Sequence, residues 1–168
     1  MVVLGIDPGY AIVGYGVLKY NSNRFSIVEY GAVTTKAGTL FSDRLNEIYS
    51  GICNIIERCH PDAMSIEKLF FNTNTTTAID VAQARGVILL AAKKYNLPIF
   101  EYTPLQVKSS VTGYGKAEKK QVMEMTKSLL GLSKVPKPDD TADALAIAIC
   151  HAHSSGSLLG ALNAGGRI

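Results

Sequence analysis

Cysteine is scarce in this sequence. Cys53, Cys59 and Cys150 are an odd set of three, and none belongs to a Cys-x-x-Cys pair. That argues against a disulfide framework and a thiolate zinc site, and it fits a reducing cytoplasm. No cysteine–histidine spacing suits zinc either. No apolar run reaches the roughly 20 residues of a membrane span. The segment Met1 to Asp7 has no basic leader and is too short for a signal core, so no targeting segment is expected. Charge is also limited: 18% of residues are charged and the net charge is +3. A disordered chain carries more, and so mild a surplus permits a nucleic-acid partner without arguing for one. With no internal repeat and no linker, the 168 residues read as one domain over residues 1–153. A Gly- and Ser-rich segment, 154–168, is expected to be a loosely held tail.

What is present is an ordered series of elements. Val2 to Ile6 is an apolar run closed by Asp7-Pro8-Gly9, a strand ending in a turn. Gly14 to Tyr20 and Phe25 to Thr35 read as two more strands, separated by Asn21-Ser22-Asn23, and close spacing makes the three a meander. Helical periodicity covers Thr39 to Cys59, and a strand follows at Ala63 to Glu67. A long helix is expected at Asn74 to Tyr95, a strand at Leu97 to Tyr102, and helices at Val107 to Tyr114, Ala117 to Leu130 and Thr141 to His153. With the short segment at Val107 to Tyr114 left out, the order β-β-β-α-β-α-β-α-α predicts an α/β fold, a mixed sheet covered by helices.

Three features carry chemistry. Asp7 follows five apolar residues at a strand end, a costly place for a charge without a task. Glu67 ends its own strand, and alternation puts it on the face of Ala63 and Ser65. Asp139, Asp140 and Asp143 open an apolar helix, more acids than an N-terminal cap needs. Asp140 and Asp143 share a helix face, but Asp139 and Asp143 are also a workable pair, so spacing alone does not choose. Hard carboxylate oxygens suit magnesium or manganese, and two such ions can activate water and steady the leaving oxygen of a phosphodiester. His60, His151 and His153 are read as structural or exposed.

Between Thr103 and Lys137 stand seven lysines and two glutamates, a local surplus exceeding that of the whole chain. Lys108, Lys116, Lys119 and Lys120 flank a Gly113-Tyr114-Gly115 loop whose backbone is free to approach a phosphate. Phe70-Phe71 precedes a polar run, and one ring is available to stack on an unpaired base. The long helix is apolar on nearly every side, which hints at a second subunit.

Together these segments resemble the RuvC family of bacterial Holliday-junction resolvases. The matching runs are Gly5-Ile6-Asp7-Pro8-Gly9 with Gly14-Tyr15-Gly16, Ile66-Glu67 with Phe70, and Gln83-Ala84-Arg85-Gly86. They continue through Gln106-Val107-Lys108, Val111-Thr112-Gly113, Ala117-Glu118-Lys119 and Asp140-Thr141-Ala142-Asp143-Ala144-Leu145-Ala146. The resemblance implies an RNase H-like fold with a five-stranded mixed sheet. It implies a magnesium-dependent endonuclease with an acidic tetrad of Asp7, Glu67, Asp140 and Asp143, holding two ions. It also implies that Lys108 and Lys119 lie by the scissile phosphate, that Phe70 probes a base, and that Arg85, Lys116 and Lys120 meet DNA. A homodimer nicking two strands symmetrically, with RuvA and RuvB as partners, completes the expectation. Two rivals are a sugar-kinase-like phosphotransferase and a junction-binding module without chemistry. Nucleotide hydrolysis would mark the first, and binding without nicking the second.

Overall fold

A computed structural model describes residues 1–69, 77–155 and 168. Five strands and five helices follow in the order β1 (Val2–Asp7), β2 (Ile12–Asn21), β3 (Arg24–Thr34), α1 (Phe41–Cys59), β4 (Ala63–Glu67), α2 (Ala78–Lys94), β5 (Ile99–Tyr102), α3 (Pro104–Thr112), α4 (Lys119–Leu129) and α5 (Asp139–Ser155). The sheet order is β3-β2-β1-β4-β5. The first three strands are antiparallel, and β4 and β5 add in parallel to β1. The expected mixed five-stranded sheet is therefore the one found.

Local chemistry explains most boundaries. Ser22 and Asn23 both take positive φ, at 47° and 64°, as a tight hairpin between β2 and β3 requires. Helix α3 starts three residues earlier than expected from hydrophobic periodicity. Thr103 accepts from the Gln106 amide at 3.2 Å and Gln106 answers the Thr103 amide at 2.8 Å, a capping box with Pro104 in the first turn. The expected start of α2 at Asn74 lies outside the described residues. Of the expected tail, Ser154 and Ser155 continue α5, and residues 156–167 also lie outside them.

Strand alternation sorts the core into two layers. Leu4, Ile6, Met64 and Ile66 face α1 and α2, with Ile48, Ile52, Ala84 and Ile88. Val3 and Leu18 face the other side, with Val107, Val122, Leu145, Ile147 and Ile149. Helix α5 is the center of that second layer, with eleven of its seventeen residues buried. Burying Leu145, Ile147 and Ile149 contributes roughly 1.5–3 kcal/mol each. Among the described residues, no helix is long and apolar enough to cross a membrane.

Candidate active site

Four carboxylates lie within electrostatic reach of one another where β1, β4 and α5 converge. Asp7 is the last residue of β1 and Glu67 the last of β4. The two strands are parallel neighbors, with Ile6 opposite Ile66, so both acids leave the sheet at one edge. Alternation aims both at α5, whose first turn carries Asp140 and, three residues further on, Asp143.

Glycines bring that helix turn close to the sheet. Gly14 pairs with Asp7 across the β1–β2 ladder. A methyl group at Gly14 would sit 2.0 Å from the Asp140 carbonyl oxygen. One at Gly5 would sit 2.1 Å from the Ala144 carbonyl, and one at Gly16 would strike Leu145. With hydrogen in place of those methyls, the α5 backbone lies directly on the strands. Two hydrogen bonds anchor it: Thr141 donates to the Gly31 carbonyl at 3.0 Å, and buried Ser65 to the Ile147 carbonyl at 3.3 Å. The glycine cradle was the part of the site missed in the sequence. Its only signal was three glycines in strands that otherwise call for bulky residues.

Crowded negative charge shifts the acids. Burial, then the charges of Glu67, Asp143 and Asp140, push the Asp7 carboxyl up to about 8, against a smaller opposing effect of Lys119. Burial and Asp143 likewise raise Glu67, while Lys119 and Lys108 oppose the rise. Asp143 is raised by burial, offset in part by its hydrogen bond to Lys119. That ammonium lies 2.8 Å from Asp143 and 4.0 Å from Asp139. Burial works against the Lys119 charge, but Asp143, Asp139 and Asp7 outweigh it and raise its pKa. Asp140 adds to the charge at Asp7, whereas the Asp139 carboxylate meets Lys137 at 2.6 Å.

A cavity of about 250 Å³ adjoins the acids. Glu67, Lys108, Lys119 and Asp143 form its polar wall, and Val107, Val122, Ala146 and Ile147 its apolar one. Both lysines thus stand beside the carboxylates, one on α3 and one opening α4.

The donor chemistry fits a hard divalent cation: four oxygen ligand groups, mutually repelling, whose repulsion a cation relieves. Among the described residues, however, no three acidic, histidine or cysteine side chains gather closely enough around one point to hold an ion, and Asp143 is turned to Lys119. The acids are neighbors by charge and stand as a cluster without a tight ligand cage.

Other expected site residues fare differently. Lys116 and Lys120 are exposed near the start of α4. Phe70 lies outside the described residues. Arg85, expected at the DNA surface, instead forms a largely buried ion pair with Glu101, joining α2 to β5. The glycine loop also serves the fold itself: Gly113 ends α3 at φ 76°, and a methyl at Gly115 would lie 2.8 Å from Ser109 Oγ. The histidines are structural. Buried His151 meets the Tyr102 hydroxyl at 2.8 Å, and burial lowers it to about 4. His153 contacts Ser110 and packs its edge near Phe25, and His60 ends α1 in a left-handed conformation.

A family model described as crossover junction endodeoxyribonuclease RuvC matches residues 3–151. This chain belongs to the RuvC family. The RuvC of Ruminiclostridium cellulolyticum is 57% identical over 162 residues, 95% of this chain and 98% of its own. That of Clostridioides difficile is 57% identical over 155 residues, 92% of each. Among solved structures, T. thermophilus RuvC in complex with Holliday junction substrate matches with a TM-score of 0.91 and 32% identity, covering 100% of this chain and 99% of that one. The yeast mitochondrial Holliday junction resolvase shares the fold at a TM-score of 0.64, with 19% identity over 88% of this chain and 76% of that one. RuvC membership makes the chain a nuclease of the metal-dependent kind, with the RNase H-like architecture the sequence led one to expect.

Proposed function

We propose that this protein resolves four-way DNA junctions by paired nicks in strands of like polarity, leaving 5′-phosphate and 3′-hydroxyl ends. One observation carries the reading: Asp7, Glu67, Asp140 and Asp143 crowd one strand edge, with Lys119 against them and Lys108 beside Glu67. The four carboxylates would hold magnesium, for which manganese can substitute, with two ions per site. When bound, these ions supply an activated water and charge neutralization at the departing 3′ oxygen. Lys108 and Lys119 present fixed positive charge to the scissile phosphate. Lys119 then exchanges a carboxylate partner for a phosphate one. Lys116 and Lys120 extend the positive surface along the DNA backbone, and Phe70 supplies a ring for an unpaired base.

A homodimer supports symmetric nicking, because its two sites and a two-fold junction share one symmetry operator. Helix α2 offers a surface for it. Ile79, Ala82, Gln83, Gly86 and Leu90 lie on one exposed, uncharged stripe, with Ile79 69% and Leu90 55% accessible. A methyl at Gly86 would meet nothing within 4 Å inside the chain, so a second α2 has room to approach closely. The RuvA and RuvB branch-migration proteins are the partners proposed to deliver the junction.

The test compares nicking of a synthetic four-way junction and a linear duplex, with and without magnesium, for wild type and Asp7→Asn. Junction-selective, magnesium-dependent nicking that the substitution abolishes is expected. Undiminished cleavage by Asp7→Asn would remove Asp7 from the active site.

A further inference from the structure

The chain leaves Asp7 through a four-residue turn, Pro8 to Ala11, before β2 begins at Ile12. The turn is tight: a methyl at Gly9 would lie 2.2 Å from the Ile12 carbonyl oxygen. Its outer carbonyls lie beyond the sheet ladder and need other donors. Thr35, just past β3, supplies two of them. Its amide donates to the Ala11 carbonyl at 3.0 Å, and its hydroxyl to the Tyr10 carbonyl at 2.8 Å.

Arg44, in the first turn of α1, closes the network. Its Nε donates to Thr35 Oγ1 at 2.8 Å and its Nη2 to the Tyr10 carbonyl at 3.3 Å. Its guanidinium carbon stands 4.6 Å from the center of the Tyr10 ring, which also packs near Phe41. Among the described residues Arg44 makes no salt bridge. Its side-chain hydrogen bonds among the described residues go to neutral oxygens, at Tyr10 and Thr35. A planar fork with two donors in fixed geometry fits that task, and a single ammonium does not.

We propose that Arg44 is a positioning residue for the carboxylate center. Its guanidinium, acting through Thr35 and Tyr10, braces the turn after Asp7 and thereby holds the Asp7 carboxylate in register with Glu67, Asp140 and Asp143. The inference rests on the nuclease reading above. It adds a residue on the opposite side of the sheet from α5, one whose hydrogen bonds among the described residues go to Thr35 and Tyr10 and not to the carboxylates.

The experiment measures single-turnover nicking and junction affinity for Arg44→Ala, Arg44→Lys, Thr35→Val and the Arg44→Ala/Thr35→Val double variant. Misplacing Asp7 is expected to slow nicking by Arg44→Ala on the order of 100-fold, with affinity unchanged. Added guanidinium should restore part of that rate, Arg44→Lys should recover it poorly, and the double variant should be no slower than Arg44→Ala alone. Amide exchange at Thr35 should quicken in Arg44→Ala. Wild-type nicking by a folded Arg44→Ala protein, a loss lying wholly in affinity, or additive effects of the two substitutions would each overturn the proposal. If Arg44→Ala does not fold, Thr35→Val decides: slower nicking at equal affinity supports the brace, and the wild-type rate refutes it. If wild-type protein fails to nick junctions, the nuclease reading falls instead. The brace is then judged by Thr35 exchange alone, faster in Arg44→Ala if it holds.

Discussion

Asp7 concentrates the electrostatics of this protein in one side chain. Its carboxyl is held at about 8 instead of 3.8, first by burial and then by three neighboring acids. Between those two values the folded, metal-free chain binds more protons at Asp7 than the unfolded chain does. Stability must therefore fall as pH rises across that window, and the loss is complete above about 8. Glu67 and Asp143, both raised, push the same way. Asp7→Asn removes the charge at nearly constant size. In the presence of a chelator, its melting temperature should match wild type at acid pH and exceed it increasingly toward alkaline pH. The corresponding difference in unfolding free energy should reach on the order of a few kcal/mol. Thermal melts across the range check this, and a gap that stays constant with pH would refute it.

The elements matter through how closely they approach. Asp140 and Asp143 reach Asp7 because α5 lies on a strip of β1 and β2 stripped of side chains at Gly5, Gly14 and Gly16. At Gly14 an added methyl meets helix backbone, which cannot rotate away. Gly14→Ala should therefore cost roughly 1–3 kcal/mol or more through overpacking. It should also lose nicking even where the protein stays folded, because α5 and its two acids move off the sheet. Denaturant titration and the junction assay read the two effects separately. Full activity in Gly14→Ala would show that the close approach is not needed. Most elements were legible beforehand, because periods of two and 3.6 survive in β3 and α1, and unbroken apolar runs mark β1 and α5. The start of α3 was not, because Thr103, Pro104 and Gln106 mark it by capping chemistry and not by hydrophobic period.

At the scale of the whole molecule, the exposed stripe of α2 is the feature a single chain leaves without a role. The sequence showed apolar residues around most of that helix; the fold covers one side and leaves Ile79 and Leu90 open. Leu90→Glu should shift the protein from dimer to monomer in sedimentation at micromolar concentration, leaving the monomer folded. Coupled double nicks should then give way to single ones. A wild-type protein that sediments as a monomer would sink the dimer proposal.

By itself, the sequence determined the order of strands and helices, the face on which Glu67 points, and the acids available to form a site. Those properties are local, set by side-chain period and by residue types a strand or helix end tolerates. Spacing left Asp139 and Asp140 open and the family resemblance chose Asp140. Only the tertiary structure showed that the two face different charges, Asp140 acting on Asp7 and Asp139 held by Lys137. It also withdrew Arg85 into an ion pair with Glu101, a partner on another strand that no local pattern announces. The glycine cradle and the Arg44 brace belong to the same class. Each joins segments distant along the chain, and what it does depends on separations that exist only after the sheet and helices have packed.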